Sequence, residues 1–420
     1  MRNCVAVLAA GLVLLSCGSL LAGDWPQFRG PEGSGHSSEV GLPLTWSDTE
    51  NIAWRVELPG SGWSSPVVVD GRVYLTTAVP VDPMAEKSDL SLRTLCVDSK
   101  SGALLWNTEV FLEVAETAPG IHQKNSHASP TPIVEGDRLY VHFGHEGTAC
   151  LDLEGSVLWR NAELRYPPVH GNGGSPTLWH ELLIFSCDGG EAPFVAALNK
   201  QTGELVWRHE RGVPAEKTFS FCTPQVIEVN GREQVVIPGS NVVSGFDPQT
   251  GEVIWFASYD GYSVIPRPVY AHGMIYISTG YNSPVVMAIR PDGAGDVTET
   301  HVAWKHDKAG PNTPSLLVVG DELYMVSDNG VASCLDAVTG TQHWQKRLGG
   351  NYSASPLFAE GRIYFQDEQG QTTVIAPGIS YQQLAKNSLT GRTLASYAVA
   401  EQAIFLRSDT ALYRIEVTQP

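Results

Sequence analysis

The stretches TGELVW (residues 202–207) and TGEVIW (residues 250–255) each carry a glycine four residues before a tryptophan. The same spacing returns in SGALLW, EGSVLW and TGTQHW, which end at Trp106, Trp159 and Trp344. Self-similarity of this kind predicts a repeat architecture in which each copy is one supersecondary unit. The chain is therefore expected to fold as an array of similar units.

Each copy has the pattern of a hairpin turn that leads into a strand. A short apolar strand ending in Asp precedes the turn, and the glycine supplies the positive φ that closes the loop. The tryptophan then lies on the next strand, where its ring fills the gap between neighbouring sheets and its indole N–H can find a backbone acceptor. We assign this structural role to Trp54, Trp106, Trp159, Trp207, Trp255, Trp304 and Trp344.

A second recurring element precedes each turn. It consists of a small residue and Pro, an apolar run, a turn, and an alternating strand that often bears Tyr. SSPVVVDGRVYLT (residues 64–76) and SASPLFAEGRIYFQD (residues 353–367) are two of its copies. Together the two elements give four strands in a unit of roughly 40 to 50 residues, which is the size of a propeller blade.

The two ends of the chain decide the number of blades. Residues 394–417 supply three strands and then stop, whereas residues 51–58 supply one orphan strand with its own tryptophan. Pairing the orphan with the last three strands closes the ring and removes exposed sheet edges. We predict an all-β fold: a single β-propeller of eight four-stranded blades over residues 51–417. Seven blades is the alternative, because the seventh unit lacks its tryptophan.

The first 22 residues have the pattern of a secretory signal peptide. Arg2 precedes a short apolar run and then small residues up to Ala22, where we expect cleavage. The alternative is an imperfect lipobox that would leave a lipid anchor on Cys17, and only then would the protein contact a membrane. We expect an exported protein, periplasmic or secreted, whose N-terminal extended segment covers residues 23–50.

The charge balance bears on the class of partner. The formal net charge is −18, which argues against a nucleic-acid partner because phosphate binding needs a basic surface. We expect a monomer whose partner is either another protein or a small polar or anionic ligand.

The turn-tryptophan repeats resemble the PQQ-like β-propeller family, which includes quinoprotein alcohol dehydrogenases and the propeller lipoprotein of the outer-membrane β-barrel assembly machinery. The resemblance covers residues 24–417. A closer one is to exported PQQ-like repeat proteins of planctomycetes and related bacteria, whose mature chains begin like DWPQFRGPEGSG (residues 24–35). The family implies the propeller fold and leaves the activity open.

The resemblance also frames the question of a cofactor. Quinoprotein dehydrogenases hold PQQ with a disulfide between adjacent cysteines, a carboxylate and amide set around calcium, and a tryptophan floor. This sequence has no Cys-Cys pair and no Cys-x-x-Cys-His haem motif. A PQQ dehydrogenase is therefore disfavoured and no cofactor is expected, with PQQ and calcium as the alternative.

Candidate ligand-binding residues precede the Pro-bearing strands, because the innermost strands of a propeller line its axial channel and the segments entering them line one mouth. These residues are polar with few carboxylates, which predicts an anionic or carbohydrate-like ligand. The alternative is a polar wall that holds ordered water. The candidates are Asn125, His127, His170, Asn172, Lys217, Arg267, Asn312 and Tyr352.

No catalytic residue and no metal site is predicted, because no histidine pair has a recognised ligand spacing and no carboxylate pair has an interpretable one. We expect a non-catalytic propeller that acts in binding or scaffolding. The alternative is an enzyme that uses the axial funnel, either a quinone-dependent oxidoreductase or a carbohydrate-active enzyme.

Overall fold

The computed structural model describes residues 23–212, 216–281 and 283–418. The predicted signal peptide and Cys17 lie outside the described residues. The strands form eight sheets, and a 3-10 turn at Gly144–Glu146 is the one helical element of the described chain. The prediction of an all-β, eight-bladed propeller is confirmed and seven blades is wrong. Among the described residues, no helix has the length and apolar character to cross a bilayer.

In each blade the strands follow one another from the axis to the rim. Blade 1 consists of Val67–Val69, Arg72–Pro80, Leu90–Asp98 and Leu104–Glu113, and blade 2 of Ile133–Glu135, Arg138–His142, Thr148–Asp152 and Val157–Asn161. Blade 3 consists of Thr177–Trp179, Leu182–Cys187, Phe194–Asn199 and Leu205–Glu210, and blade 4 of Gln225–Val229, Arg232–Gly239, Val242–Phe246 and Val253–Ser258. A short strand, Gly295–Asp296, adds to the rim of blade 4.

Blades 5 to 8 repeat the arrangement. From axis to rim, blade 5 consists of Val269–Ala271, Met274–Ser278, Val286–Ile289 and Val302–His306, and blade 6 of Leu317–Val319, Glu322–Val326, Val331–Asp336 and Gln342–Arg347. Blade 7 consists of Leu357–Ala359, Arg362–Gln366, Gln371–Ala376 and Gln382–Ser388, and blade 8 of Ala398–Ala400, Ala403–Arg407, Ala411–Ile415 and Ile52–Glu57. The last of these pairs antiparallel with Ala411–Ile415, so the N-terminal strand closes blade 8 as predicted.

Neighbouring blades interlock through the repeat tryptophans. The indole N–H of Trp106 in blade 1 donates to the carbonyl of Leu153, 3.0 Å away in the turn of blade 2. Gly155 in that turn has φ +90°, and a Cβ there would lie 2.8 Å from the same indole. The glycine of each repeat is thus needed for close contact with the preceding tryptophan as well as for its turn.

Blade 7 is the exception, because Ala385 occupies the position where blade 6 carries Trp344. Trp46 from the N-terminal segment fills this space. Its ring is 3% exposed and stacks on Tyr364 with centroids 6.2 Å apart, close to the 6.1 Å between Tyr324 and Trp344 in blade 6. The missing tryptophan is therefore supplied from elsewhere in the chain.

Residues 24–37, here called the closing segment, cover one end of the axial channel. Trp25 exchanges two backbone hydrogen bonds with Val68 of blade 1. The Pro26 carbonyl accepts from Val134 N–H of blade 2, and His36–Ser37 adds in parallel to the inner strand of blade 7. The segment therefore ties blades 7, 1 and 2 together over one end of the channel and leaves the other end uncovered.

Candidate functional site

A ring of side-chain hydroxyl groups lines the channel where the inner strands begin. The backbone N–H of Ser65 donates to Thr131 Oγ1 (3.0 Å), Thr131 N–H to Ser175 Oγ (2.9 Å), and Ser175 N–H to Thr223 Oγ1 (3.0 Å). The ring continues from blade to blade through Ser315, Ser355 and Ser396 and returns to Ser65. Each oxygen accepts an amide N–H, and the hydroxyl groups line the channel, where each can donate its hydrogen to a ligand.

Arg267 occupies the eighth position of this ring. Its backbone N–H donates to Ser315 Oγ (3.0 Å) as in the other blades. Its guanidinium leaves the ring and donates from Nη1 to the carbonyl of Phe28 in the closing segment (2.7 Å). Phe28 in turn forms part of the floor of the cavity above it. One residue thus joins the hydroxyl ring to the closed end.

Above the ring the channel widens into a cavity of about 810 Å³, here called the funnel. This volume is in the range of small-molecule sites. The seven hydroxyl residues and Phe28 line its base, and segments from successive blades form its walls. The funnel can admit a ligand with several rings from the open end.

One wall of the funnel is a continuous series of aromatic rings. The ring of Phe219 lies edge-on to His170 (5.4 Å between centroids) and to Tyr262 (5.6 Å). Tyr262 then contacts Tyr281 at 5.8 Å. Trp63 lies on the opposite side of the funnel. Such faces give a ligand ring flat apolar contact, while the hydroxyls at the base offer hydrogen bonds.

The charges near the funnel are largely neutralised within the protein. Lys124 Nζ lies 2.8 Å from Glu368 Oε1 and 3.8 Å from Asp328 Oδ1. Arg392 Nη2 lies 3.7 Å from the other oxygen of Glu368. Burial opposes ionisation of Glu368, but the hydrogen bonds from Lys124 and Ser353 outweigh it and lower its pKa. This group offers little net attraction to an anion.

Lys217 and His122 differ from this neutralised group. Lys217 donates to the Tyr262 hydroxyl (2.9 Å) and lies 4.3 Å from the centroid of that ring. The pKa of His122 is lowered by partial burial and by the neighbouring charges of His170, Lys124 and Arg392. His122 therefore enters a binding event at neutral pH as an uncharged imidazole.

Four of the eight predicted ligand-binding residues line the funnel: Asn125, His170, Lys217 and Asn312. The other four do not. His127 Nδ1 lies 2.7 Å from Glu113 Oε1, Asn172 is buried and accepts from Tyr166 (2.8 Å), and Tyr352 packs between blades 6 and 7. Arg267 is turned towards the closing segment. These contacts hold the four side chains outside the lining of the funnel.

Sequence reasoning missed the features that give the funnel its chemistry. Five of the seven hydroxyl residues stand directly before Pro in SSP, TP, SP and CTP, repeated in successive units, so this periodicity could have revealed most of the ring. Ser315 follows its Pro and Ser396 has no Pro beside it, so these two break the pattern. Trp63, Phe221 and Tyr281 carry no repeated signal. Glu368 lies two residues past the end of a strand, where nothing marks it as the partner of Lys124.

The funnel does not fit PQQ with calcium as the quinoprotein dehydrogenases hold them. Asp328 is the carboxylate among the lining residues, and its oxygens already accept from Asn312 N–H and Thr313 Oγ1 at 2.7 Å. The five cysteines of the described chain are buried, free thiols. Among the described residues no cluster of three or more His, Cys, Asp or Glu side chains could hold a metal ion.

A scan against known families matches this chain to a family model. The family model described as outer membrane protein assembly factor BamB aligns with residues 39–167, 96–329 and 294–413. These spans cover most of the chain. The chain belongs to this family of PQQ-like β-propellers. The prediction made from the turn-tryptophan repeats is confirmed.

Among curated proteins, methanol dehydrogenase [cytochrome c] subunit 1 of Methylorubrum extorquens is 26% identical over 163 residues. The alignment covers 33% of this chain and 24% of that protein, so this chain spans only about a quarter of its relative's length. The similarity indicates that the two chains share the same repeat. The activity in the relative's name is a property of that protein.

Solved structures share the fold. BamB from Moraxella catarrhalis is 13% identical with a TM-score of 0.58, covering 86% of this chain and 99% of that one. A europium-containing methanol dehydrogenase is 11% identical with a TM-score of 0.64, covering 93% and 90%. At these identities the likeness concerns the propeller fold, which is shared by an assembly factor and by dehydrogenases.

Proposed function

We propose that this protein is a non-catalytic binding module whose funnel takes a carbohydrate-like ligand. The observation that carries the proposal is the combination of an aromatic wall with a base of hydroxyl groups. Saccharides present apolar ring faces together with many hydroxyls that both donate and accept. The aromatic side chains of the funnel can stack on the apolar ring faces, and the O–H groups at its base can bond to the saccharide hydroxyls.

The charges favour a neutral saccharide over a strongly anionic ligand. Lys124 and Arg392 are already paired with Glu368, so an anion would have to compete with that carboxylate. Lys217 is the cation that could accept an acidic substituent, and it is held over Tyr262 at the rim. A ligand with an occasional acidic group is compatible with this arrangement.

A thermal-shift screen against a panel of neutral and acidic glycans tests the proposal. A ligand that binds only the native state raises the unfolding midpoint. Tyr281→Ala and Trp63→Ala remove rings from two sides of the funnel, and we expect each to lower affinity about fivefold, since one lost stacking contact amounts to about 1 kcal/mol.

Tyr270→Ala serves as the matched control. Tyr270 lies in the inner strand of blade 5, next to the turn that follows it, and is not among the residues lining the funnel. This variant should keep glycan affinity unchanged. Equal losses in all three variants, or no glycan that shifts the midpoint of the wild-type protein, would refute the proposal.

A second candidate function is a scaffold for a protein partner. The matching family is described as an assembly factor, which favours this function. So do exposed apolar side chains on the outer strands of adjacent blades, among them Leu105, Leu158 and Val206. Export of the protein stays a prediction from residues 1–22. Pull-down with Leu105→Asp against wild type would separate this role from glycan binding, since Leu105 lies on the outer strand of blade 1 and is not among the residues lining the funnel.

A further inference from the structure

The closed end of the channel buries two arginines that lack counter-ions. Arg29 of the closing segment and Arg267 of blade 5 are each 2% exposed. Neither forms an ion pair with a carboxylate within the described part of the chain. Burying a charged group without an opposite charge is strongly unfavourable, so this pair requires an explanation.

Several N–H groups of these arginines also lack acceptors. Arg29 donates from Nη2 to the carbonyls of Ser34 and Leu316, both at 2.7 Å. Its Nε and Nη1, together with Nε of Arg267, are buried and find no acceptor among the described residues. Unsatisfied buried donors are rare in native proteins, and an ion or water at the site is a common reason for them.

Both guanidinium groups pack against the closing segment within a few residues of each other. A Cβ at Gly33 would meet the guanidinium of Arg267, and one at Gly35 would meet that of Arg29. Burial and the nearby charge of Arg267 lower the pKa of Arg29 to about 9, and burial lowers that of Arg267 to about 10. Both groups are therefore still positively charged at neutral pH, and the two charges repel each other.

We propose that a small inorganic anion of halide size binds at the closed end of the channel, shared by Arg29 and Arg267. It would accept the unsatisfied N–H groups and offset the two charges. The site is separate from the glycan funnel, since Phe28 and the hydroxyl ring lie between them. Its role is to hold the closing segment in place.

The surroundings favour a monatomic anion over a larger oxyanion. Gly33 packs against the guanidinium of Arg267, and an added Cβ would overlap it. A Cβ at Gly35 would lie 2.7 Å from Nη2 of Arg29. With the glycine backbone already in contact with both arginines, little room is left for a sulfate or phosphate.

The first test compares thermal unfolding in sodium chloride, sodium bromide and sodium gluconate at equal ionic strength. We expect the halides to raise the midpoint by about 2 °C or more relative to gluconate, with saturation. Arg29→Met should abolish the difference. Arg407→Met is the matched control. Arg407 is also a buried arginine whose Nε finds no acceptor among the described residues, but it lies in the second strand of blade 8, where its Nη1 donates to Ser64 and Thr76, and the halide effect should persist.

A second measurement does not depend on the folding of any variant. Wild-type crystals grown or soaked in bromide should give an anomalous peak between the guanidinium groups of Arg29 and Arg267. A peak at this place supports the proposal. Absence of the peak at a bromide concentration that saturates the thermal effect, or equal midpoints in all three salts, overturns it.

Discussion

The two ends of the axial channel are built from the same repeat and have opposite character. At the open end the entrances to the inner strands leave a funnel with a hydroxyl base and an aromatic wall. At the other end the closing segment crosses the axis and buries Trp25, Arg29 and Gly33. The repeat thus provides an eightfold scaffold, and residues outside the repeat decide which end can bind a ligand.

The largest difference in the cost to the free energy of unfolding is expected between two tryptophans, one at each end of the channel. Trp25→Ala should lower the free energy of unfolding by about 3–5 kcal/mol, because the ring is buried and its loss leaves a cavity. Trp63→Ala at the funnel should lower it by about 1 kcal/mol, since that ring is partly exposed. Urea denaturation of both variants measures the two costs. Equal costs would mean that the closing segment does not stabilise the propeller.

A glycine pair isolates the contact between the closing segment and Arg267. Gly33 and Gly136 have similar positive φ values, +67° and +59°, but a Cβ at Gly136 meets nothing within 4 Å. Gly136→Ala should therefore cost about 1–2 kcal/mol through backbone strain alone. Gly33→Ala should cost about 2 kcal/mol more, because the methyl group collides with the guanidinium. Urea denaturation compares the two variants, and similar losses would show that Arg267 does not pack there.

Lowering the pH should destabilise the protein through a buried histidine of blade 2, whereas the arginines of the closed end keep their charge. Burial, with the charge of His145 as a smaller cause, lowers the pKa of His142 in blade 2 to about 3. Between the unfolded pKa of about 6.5 and this value, only the unfolded state takes up the proton, so stability falls as pH falls. From pH 6.5 to 5 the wild-type protein should lose about 2 kcal/mol more than His142→Gln. Parallel pH profiles in urea melts would contradict this.

The smallest effect on stability is expected at the funnel rim. Tyr281 is 56% exposed, so Tyr281→Ala should change the free energy of unfolding by about 0.5 kcal/mol or less. The same variant is expected to weaken glycan binding, which separates binding from stability at the open end. A large loss of stability would place this residue in the core of the fold instead.

The fold could be predicted from the sequence because its determinants are periodic. The spacing between glycine and tryptophan recurs wherever one blade docks on the next, and the orphan strand with Trp54 identified the closure of blade 8. Trp46 could not be foreseen. It belongs to no repeat, and its role depends on Ala385 leaving space more than 300 residues further along the chain.

The candidate site was only partly predictable for a related physical reason. Position in the repeat places a residue near the channel mouth, but the direction of its side chain depends on contacts that are remote in sequence. Asn125 and His170 point into the funnel, whereas Arg267 is drawn towards Phe28 of the closing segment. The aromatic wall arises from loops that differ between blades, so no periodic pattern in the sequence predicts it.

Hydrogen–deuterium exchange with and without a bound glycan tests the difference between the two ends most directly. The account predicts slow exchange in residues 25–37 of the ligand-free protein, because the Trp25 amide bonds to the inner strand of blade 1 and the amides of Gly30, Gly33 and Gly35 bond within the segment. Addition of the glycan should slow exchange in the funnel segments around His122 and Phe219 and leave residues 25–37 unchanged. Rapid exchange of the closing segment, or protection by the glycan at that end alone, would contradict the account.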